Sequence, residues 1–131
     1  MLNIIYIGKP NHTNSFICET IRSKYSANIT FHQPDELFES PEALYNEALD
    51  LAILDLNSSY GIDLAPNIIA KINSQLTNSP LLVLYPANYN LITTLIEAGA
   101  NGVISYTPME TVIIKSIDKL LKGEQFISKP K

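Results

Sequence analysis

The chain has 131 residues, of which 46% are hydrophobic, and this length suits one domain with one core rather than two. Its formal net charge of −4 and its scattered lysines and arginines form no basic surface, so we expect this chain not to bind nucleic acid directly. No apolar run approaches the length of about 20 residues that a membrane span needs, and Met1–Ile4 lacks the basic start of a signal peptide. With a single cysteine, Cys18, these features predict a cytoplasmic protein without disulfides.

Short apolar runs alternate with segments of helical period along the chain, in the order strand then helix, five times. The predicted strands are Leu2–Ile7, Ile29–Phe31, Leu51–Leu54, Leu81–Leu84 and Val103–Ile104. All but the second are continuously apolar, which is typical of parallel strands that are buried on both faces. The alternation therefore predicts an α/β fold in which helices cover both faces of a parallel sheet.

The predicted helices have apolar residues on one side, and several are bounded by proline or glycine. They are Thr13–Tyr25, Pro34–Ala48, Ile62–Leu76, Tyr89–Ala98, which stops at Gly99, and a last helix that opens at Pro108 and ends at Gly123. The stripe expected on the first helix consists of Phe16, Ile17, Thr20, Ile21 and Lys24.

A sheet of this kind binds ligands beyond the carboxyl ends of its strands, at the point where the strand order reverses. For five strand–helix units the common order is 2-1-3-4-5, which places this crevice between the first and third strands. Asp55 ends the apolar third strand, and a carboxylate there is costly unless it is solvated, paired or used. Asp55 is therefore the leading functional candidate, with capping of the following turn as the structural alternative.

Several short motifs follow one another in the order and spacing of a receiver domain. They are Leu54-Asp55-Leu56-Asn57, Gly61-Ile62-Asp63, Leu81-Leu82-Val83-Leu84, Glu97-Ala98-Gly99-Ala100-Asn101-Gly102 and Leu121-Lys122-Gly123-Glu124. Over nearly its whole length the chain resembles the receivers of LuxR/NarL-type response regulators. The resemblance implies a flavodoxin-like (CheY-like), doubly wound three-layer sandwich over residues 1–123, with a five-stranded parallel sheet of order 2-1-3-4-5. Residues 124–131 would then begin a linker to a helix-turn-helix domain that this chain lacks.

The resemblance also implies a phosphoacceptor position at Asp55 within a degenerate phosphorylation pocket. Gly8 and Lys9 occupy the positions of the two Mg²⁺-binding acids, Tyr85 that of a Thr or Ser, and Tyr106 that of a Lys. One carboxylate is a poor ligand set for Mg²⁺, so we expect no cofactor and weak or absent metal binding. Lys9 either pairs with Asp55 as a fixed cation or points to solvent, and the two tyrosines either fill the pocket or lie at its rim.

The segment Phe126-Ile127-Ser128-Lys129 resembles a cyclic di-GMP motif found in some receiver-like regulators with degraded pockets. In such a motif an aromatic ring stacks on a guanine and a cation lies near phosphate. Here Phe stands in place of Trp, and Lys stands in place of an Arg that makes a bidentate contact. The segment fits an ordinary linker as well, so cyclic di-GMP is a secondary hypothesis.

These features predict a regulatory domain without enzymatic activity, which forms a homodimer and controls a LuxR/NarL-type DNA-binding domain, its own or a partner's. Two alternatives stay open. A conventional receiver would accept a phosphoryl group on Asp55 from a histidine kinase, and the residues at positions 8 and 9 argue against it. A small flavodoxin-like nucleotide binder or enzyme would need a glycine-rich phosphate loop or a nucleophile with a base, and neither is recognisable.

Overall fold

The computed structural model describes residues 1–33, 49–56, 65–75, 79–85, 92–105 and 108–128. These residues form a six-stranded parallel sheet with helices on both faces. The strands are β1 (Leu2–Ile7), β2 (Ala27–His32), β3 (Leu51–Asp55), β4 (Leu81–Tyr85), β5 (Gly102–Ser105) and β6 (Phe126–Ile127). The helices in the described ranges are α1 (His12–Lys24), α2 (Ala65–Gln75), α3 (Ile92–Ala98) and α4 (Glu110–Leu121).

The strand order is β2-β1-β3-β4-β5-β6, and every neighbouring pair is parallel. The first five strands confirm the predicted order, which right-handed crossovers between parallel strands favour. The prediction of five strands is one short, because the tail beyond Gly123 returns to the sheet and pairs with β5. In the centre of the sheet, Ile7 lies opposite Leu54, and Asp55 lies opposite Leu84.

Alternate residues of each central strand contribute to two hydrophobic clusters on opposite faces of the sheet. The cluster under α2 and α3 includes Leu54 and Tyr85, and the cluster under α1 and α4 includes Tyr6 and Ile53. Every residue of β3 and β4 is buried, as their continuous apolar runs indicate. By contrast, β2 lies at the edge of the sheet and none of its residues is fully buried.

The buried side of α1 differs from the predicted stripe. It consists of Asn14, Ile17, Cys18, Thr20 and Ile21. The prediction was wrong for Phe16, which is 39% exposed, and for Lys24, which forms a surface salt bridge with Asp118. The side facing the sheet instead follows positions 14, 17, 18 and 21, the i, i+3, i+4, i+7 pattern of one helix face. Burial raises the pKa of the Cys18 thiol to about 11, so this side chain behaves as a small apolar residue.

Gly99 and Asn101 shape the connection from α3 into β5. Gly99 has a φ of +128°, and a Cβ atom there would lie 2.8 Å from Cγ of Asn73 on α2, so the predicted helix stop at this glycine is confirmed. The Asn101 side-chain oxygen accepts a hydrogen bond from the Leu81 N–H over 2.9 Å. Its main-chain oxygen accepts one from the Phe126 N–H over 3.2 Å. Asn101 therefore joins the beginnings of β4 and β6.

The remaining predicted helices lie partly within the described residues. The described parts of Ile62–Leu76 and Tyr89–Ala98 are helical, whereas Pro34–Ala48 lies outside the described residues. The last helix begins at Glu110, two residues after Pro108. Among the helices described, none has the length and apolar character required to cross a membrane.

Candidate functional site

Asp55 lies at the carboxyl end of β3 and is completely buried. Because β3 lies between β1 and β4, this carboxylate is in the middle of the sheet, at the predicted crevice. Removing an ionised carboxylate from water costs several kcal/mol or more, so it has to be compensated by hydrogen bonds or charge.

Asn14, in the first turn of α1, supplies such a hydrogen bond. Its Nδ2 atom donates to Oδ2 of Asp55 over 2.9 Å and to the main-chain oxygen of Lys9 over 2.7 Å. Its Oδ1 atom accepts a hydrogen bond from the hydroxyl of Tyr6 on β1. Asn14 and Tyr6 are both completely buried, so this network is shielded from water. We call Tyr6, Asn14, Asp55 and the main chain of Lys9 the Asp55 cluster.

The start of α1 holds Asn14 in place. Asn11 is the N-cap of the helix: its side-chain oxygen accepts from the Asn14 N–H over 2.8 Å, and its main-chain oxygen accepts from the Ser15 N–H over 2.9 Å. On the other side of the cluster, the ring of Tyr6 stacks on Phe31 of β2 with ring centroids 5.0 Å apart. Asn14 and its partner Tyr6 are therefore each held by contacts outside the cluster.

Solved structures with this arrangement of strands and helices include response regulators. A LuxR family DNA-binding response regulator from Silicibacter pomeroyi is similar with a TM-score of 0.76 and 19% identity, covering 99% of this chain and 100% of that chain. The receiver domain of the stress response regulator RcsB from Escherichia coli is similar with a TM-score of 0.77 and 17% identity, covering 98% of each chain. The chain has the receiver fold.

The receiver fold is not restricted to transcription regulators. A protein from Burkholderia pseudomallei described as pilus assembly-related is similar with a TM-score of 0.73 and 13% identity, covering 100% of this chain and 95% of that chain. No protein-family model and no curated protein matches the sequence. Since identities this low show the fold alone, the function of this receiver fold has to be argued from its site.

The resemblance to receivers predicts that Gly8 and Lys9 stand in place of two metal-binding acids. Gly8 is buried, and its N–H donates to the main-chain oxygen of His32 over 3.0 Å. The Lys9 side chain is exposed, while its main-chain oxygen faces the Asn14 amide. The structure therefore brings the main chain of Lys9 to the cluster, and a pairing of its ammonium group with Asp55 stays a prediction.

The Asp55 cluster does not fit a receiver-type Mg²⁺ site. Mg²⁺ demands near-octahedral oxygen coordination at about 2.0–2.1 Å, and neither Gly8 nor Lys9 offers a carboxylate. The amide of Asn14 instead bridges two oxygen atoms, Oδ2 of Asp55 and the Lys9 carbonyl, that a cation would need. Across the part of the chain that the structure describes, no group of three or more His, Cys, Asp or Glu residues is placed to hold a metal.

Tyr85 lies at the carboxyl end of β4 but on the opposite face of the sheet from Asp55. Its ring packs in the cluster under α2 and α3, whereas Asp55 is bonded to a residue of α1. The side chain is 1% exposed, and its hydroxyl donates a long hydrogen bond, 3.3 Å, to the main-chain oxygen of Ser128. Burial raises the pKa of the Tyr85 hydroxyl. Tyr106 lies outside the described residues.

The tail segment with the suspected nucleotide motif is part of the sheet. Phe126 is partly buried against the cluster under α1 and α4, while Ile127 is 38% exposed. Stacking of the Phe126 ring on a guanine would therefore compete with its packing against this cluster. Lys129, the cation of the motif, lies outside the described residues, and cyclic di-GMP binding stays a prediction.

Asn14 and Tyr6 were not predicted as members of the site. A signal for Asn14 existed, because it continues the apolar face formed by Ile17, Cys18 and Ile21. A polar side chain on a buried helix face needs a buried hydrogen-bond partner, and the predicted functional residue Asp55 is a suitable one. Tyr6 gave a weaker signal, because a tyrosine in a strand is often an ordinary part of the core.

Proposed function

We propose that this domain is a regulatory module of the response-regulator type that acts through protein contacts and does not use Asp55 as a phosphoacceptor. One observation carries the proposal: the buried Asp55 carboxylate accepts a hydrogen bond from the buried Asn14 amide, which also binds the Lys9 carbonyl. By this proposal, hydrogen bonds from the Asn14 amide take the place that Mg²⁺ has in an active receiver.

Phosphoryl transfer to a carboxylate needs an accessible oxygen atom and positive charge around the transferring group. Asp55 is 0% exposed, and the amide that meets its Oδ2 atom is neutral. An amide donates hydrogen bonds but cannot balance the developing charge as a divalent cation does. The cluster therefore favours a permanently hydrogen-bonded Asp55 side chain over a phosphorylation cycle.

By this proposal the domain controls a DNA-binding domain, its own or a partner's, and also associates with itself. Its likeness to a LuxR family DNA-binding response regulator supports the contact with a DNA-binding domain. The net charge of −4 argues against direct contact between this chain and DNA. The competing function is a conventional receiver that is phosphorylated on Asp55.

A magnesium titration tests the proposal without any phosphodonor. When ¹⁵N-labelled protein is titrated with MgCl₂, we expect the main-chain amides of Gly8 and Leu56 and the side-chain amide of Asn14 to shift no more than with NaCl of equal ionic strength. The physical reason is that one carboxylate with an amide already on it is a poor ligand set for Mg²⁺.

The Asp55→Asn variant is the matched control, because it removes the carboxylate and keeps its shape. A saturable shift at millimolar Mg²⁺, centred on these three residues and lost in the Asp55→Asn protein, would contradict the proposal and support a conventional receiver.

A further inference from the structure

The tail reaches the sheet through a tight turn and a very short strand. After α4, the Glu124 N–H donates to the Lys119 carbonyl over 3.0 Å, and Gly123 adopts a φ of +83°. The chain then turns back to form β6, which contains only two residues. A strand of this length is marginal without further contacts, so the position of the tail depends on what holds it.

Three kinds of contact hold the tail in place. The Phe126 N–H donates to the main-chain oxygen of Asn101, just before β5, over 3.2 Å, and the Ser128 N–H donates to that of Val103 in β5 over 2.9 Å. The Phe126 ring packs against the cluster under α1 and α4. Finally, the Tyr85 hydroxyl binds the Ser128 carbonyl from two strands away, on the other face of the sheet.

Tyr85 is well placed to connect the tail with the carboxyl edge of the sheet. It follows Leu84, whose main-chain oxygen accepts from the Leu56 N–H over 3.1 Å, directly after Asp55. Within the described residues the Ser128 carbonyl is the hydrogen-bond partner of its hydroxyl. A buried hydroxyl without a partner is unfavourable, so departure of the tail forces the Tyr85 side chain into a new environment.

We propose that Tyr85 is a latch that couples docking of the tail strand β6 to the conformation at the carboxyl ends of β3 and β4. In the latched state the phenol bridges across β5 to the Ser128 carbonyl, and β6 extends the sheet. In the released state the hydroxyl turns to water and the tail leaves β5. Whatever binds at the carboxyl edge and displaces Tyr85 thereby frees the tail, and displacement of the tail in turn loosens Tyr85.

Hydrogen exchange of the tail amides tests the latch in the intact chain. In Tyr85→Phe we expect the amides of Phe126 and Ser128 to exchange about two- to tenfold faster, as loss of one intramolecular hydrogen bond implies. The amide of Val83 in the centre of the sheet should keep its rate relative to the wild type. Tyr25→Phe is the matched control, because it also deletes a hydroxyl hydrogen bond, to Asp118, at a site away from the tail.

The reverse direction of the coupling is measured with Phe126→Ala, which weakens docking of β6 while leaving Tyr85 in place. Burial raises the Tyr85 pKa, so in this variant its titration, followed by ¹³C-labelled tyrosine, should move to lower pH. The Leu56 amide signal should shift as well. Equal tail exchange in Tyr85→Phe and Tyr25→Phe, or an unchanged Tyr85 titration in Phe126→Ala, would overturn the latch.

Discussion

Replacement of Asn14 by leucine should destabilise the domain by about 2–4 kcal/mol. Leucine has a similar volume, but it leaves the buried Asp55 carboxylate without the amide donor and the Tyr6 hydroxyl without its acceptor. A charged group that loses a buried hydrogen bond incurs much of its desolvation cost, so the loss exceeds that of an ordinary hydrogen bond. Urea unfolding followed by circular dichroism measures the change.

Two further variants separate this effect from a general intolerance of leucine. Asn28→Leu, at an exposed position on β2, should change the stability by about 0.5 kcal/mol or less. The double variant Asn14→Leu/Asp55→Leu should be more stable than Asn14→Leu alone, because it also removes the buried carboxyl group that has lost its amide donor. Additive losses in the double variant would mean that the two side chains are not coupled.

Gly99→Ala should cost about 2–3 kcal/mol, through backbone strain together with a steric clash. The φ of +128° is a conformation that residues with a side chain rarely adopt, and the added Cβ would approach the Asn73 side chain to 2.8 Å. Gly123→Ala is the natural control, because its φ is +83° but nothing lies within 4 Å of the added atom. It should lose only about 1 kcal/mol, as judged by thermal unfolding of the two variants. Equal losses would show that the contact with Asn73 contributes nothing.

The architecture of this protein could be predicted because its central strands are continuously apolar. The runs Leu51–Leu54 and Leu81–Leu84 are apolar at every position, which is typical of strands in the centre of a parallel sheet, where both faces are buried. Right-handed crossovers then leave few strand orders to choose from. Asp55 could be singled out for the same reason, since a carboxylate that ends such a run is conspicuous.

The parts that escaped prediction depend on tertiary contacts rather than on periodicity. The strand Phe126–Ile127 is too short to show alternation, and the edge of β5 stabilises it only after the chain has turned back at Gly123. The rotation of α1 was misjudged because Phe16 was assigned to the buried face, whereas Asn14 occupies that face. The hydrogen bond from Asn14 to Asp55 spans 41 residues of sequence, and no local pattern indicates it.

Incubation with a small phosphodonor tests most directly whether Asp55 accepts a phosphoryl group. The domain is mixed with acetyl phosphate and Mg²⁺, beside a conventional receiver as positive control, and the intact mass of each protein is measured. Because Asp55 is buried against Asn14 and lacks acidic neighbours at positions 8 and 9, we predict that its mass stays unchanged while the control gains one phosphoryl group. Addition of one phosphoryl group per chain, abolished by Asp55→Asn, would contradict this prediction and identify the domain as a working receiver.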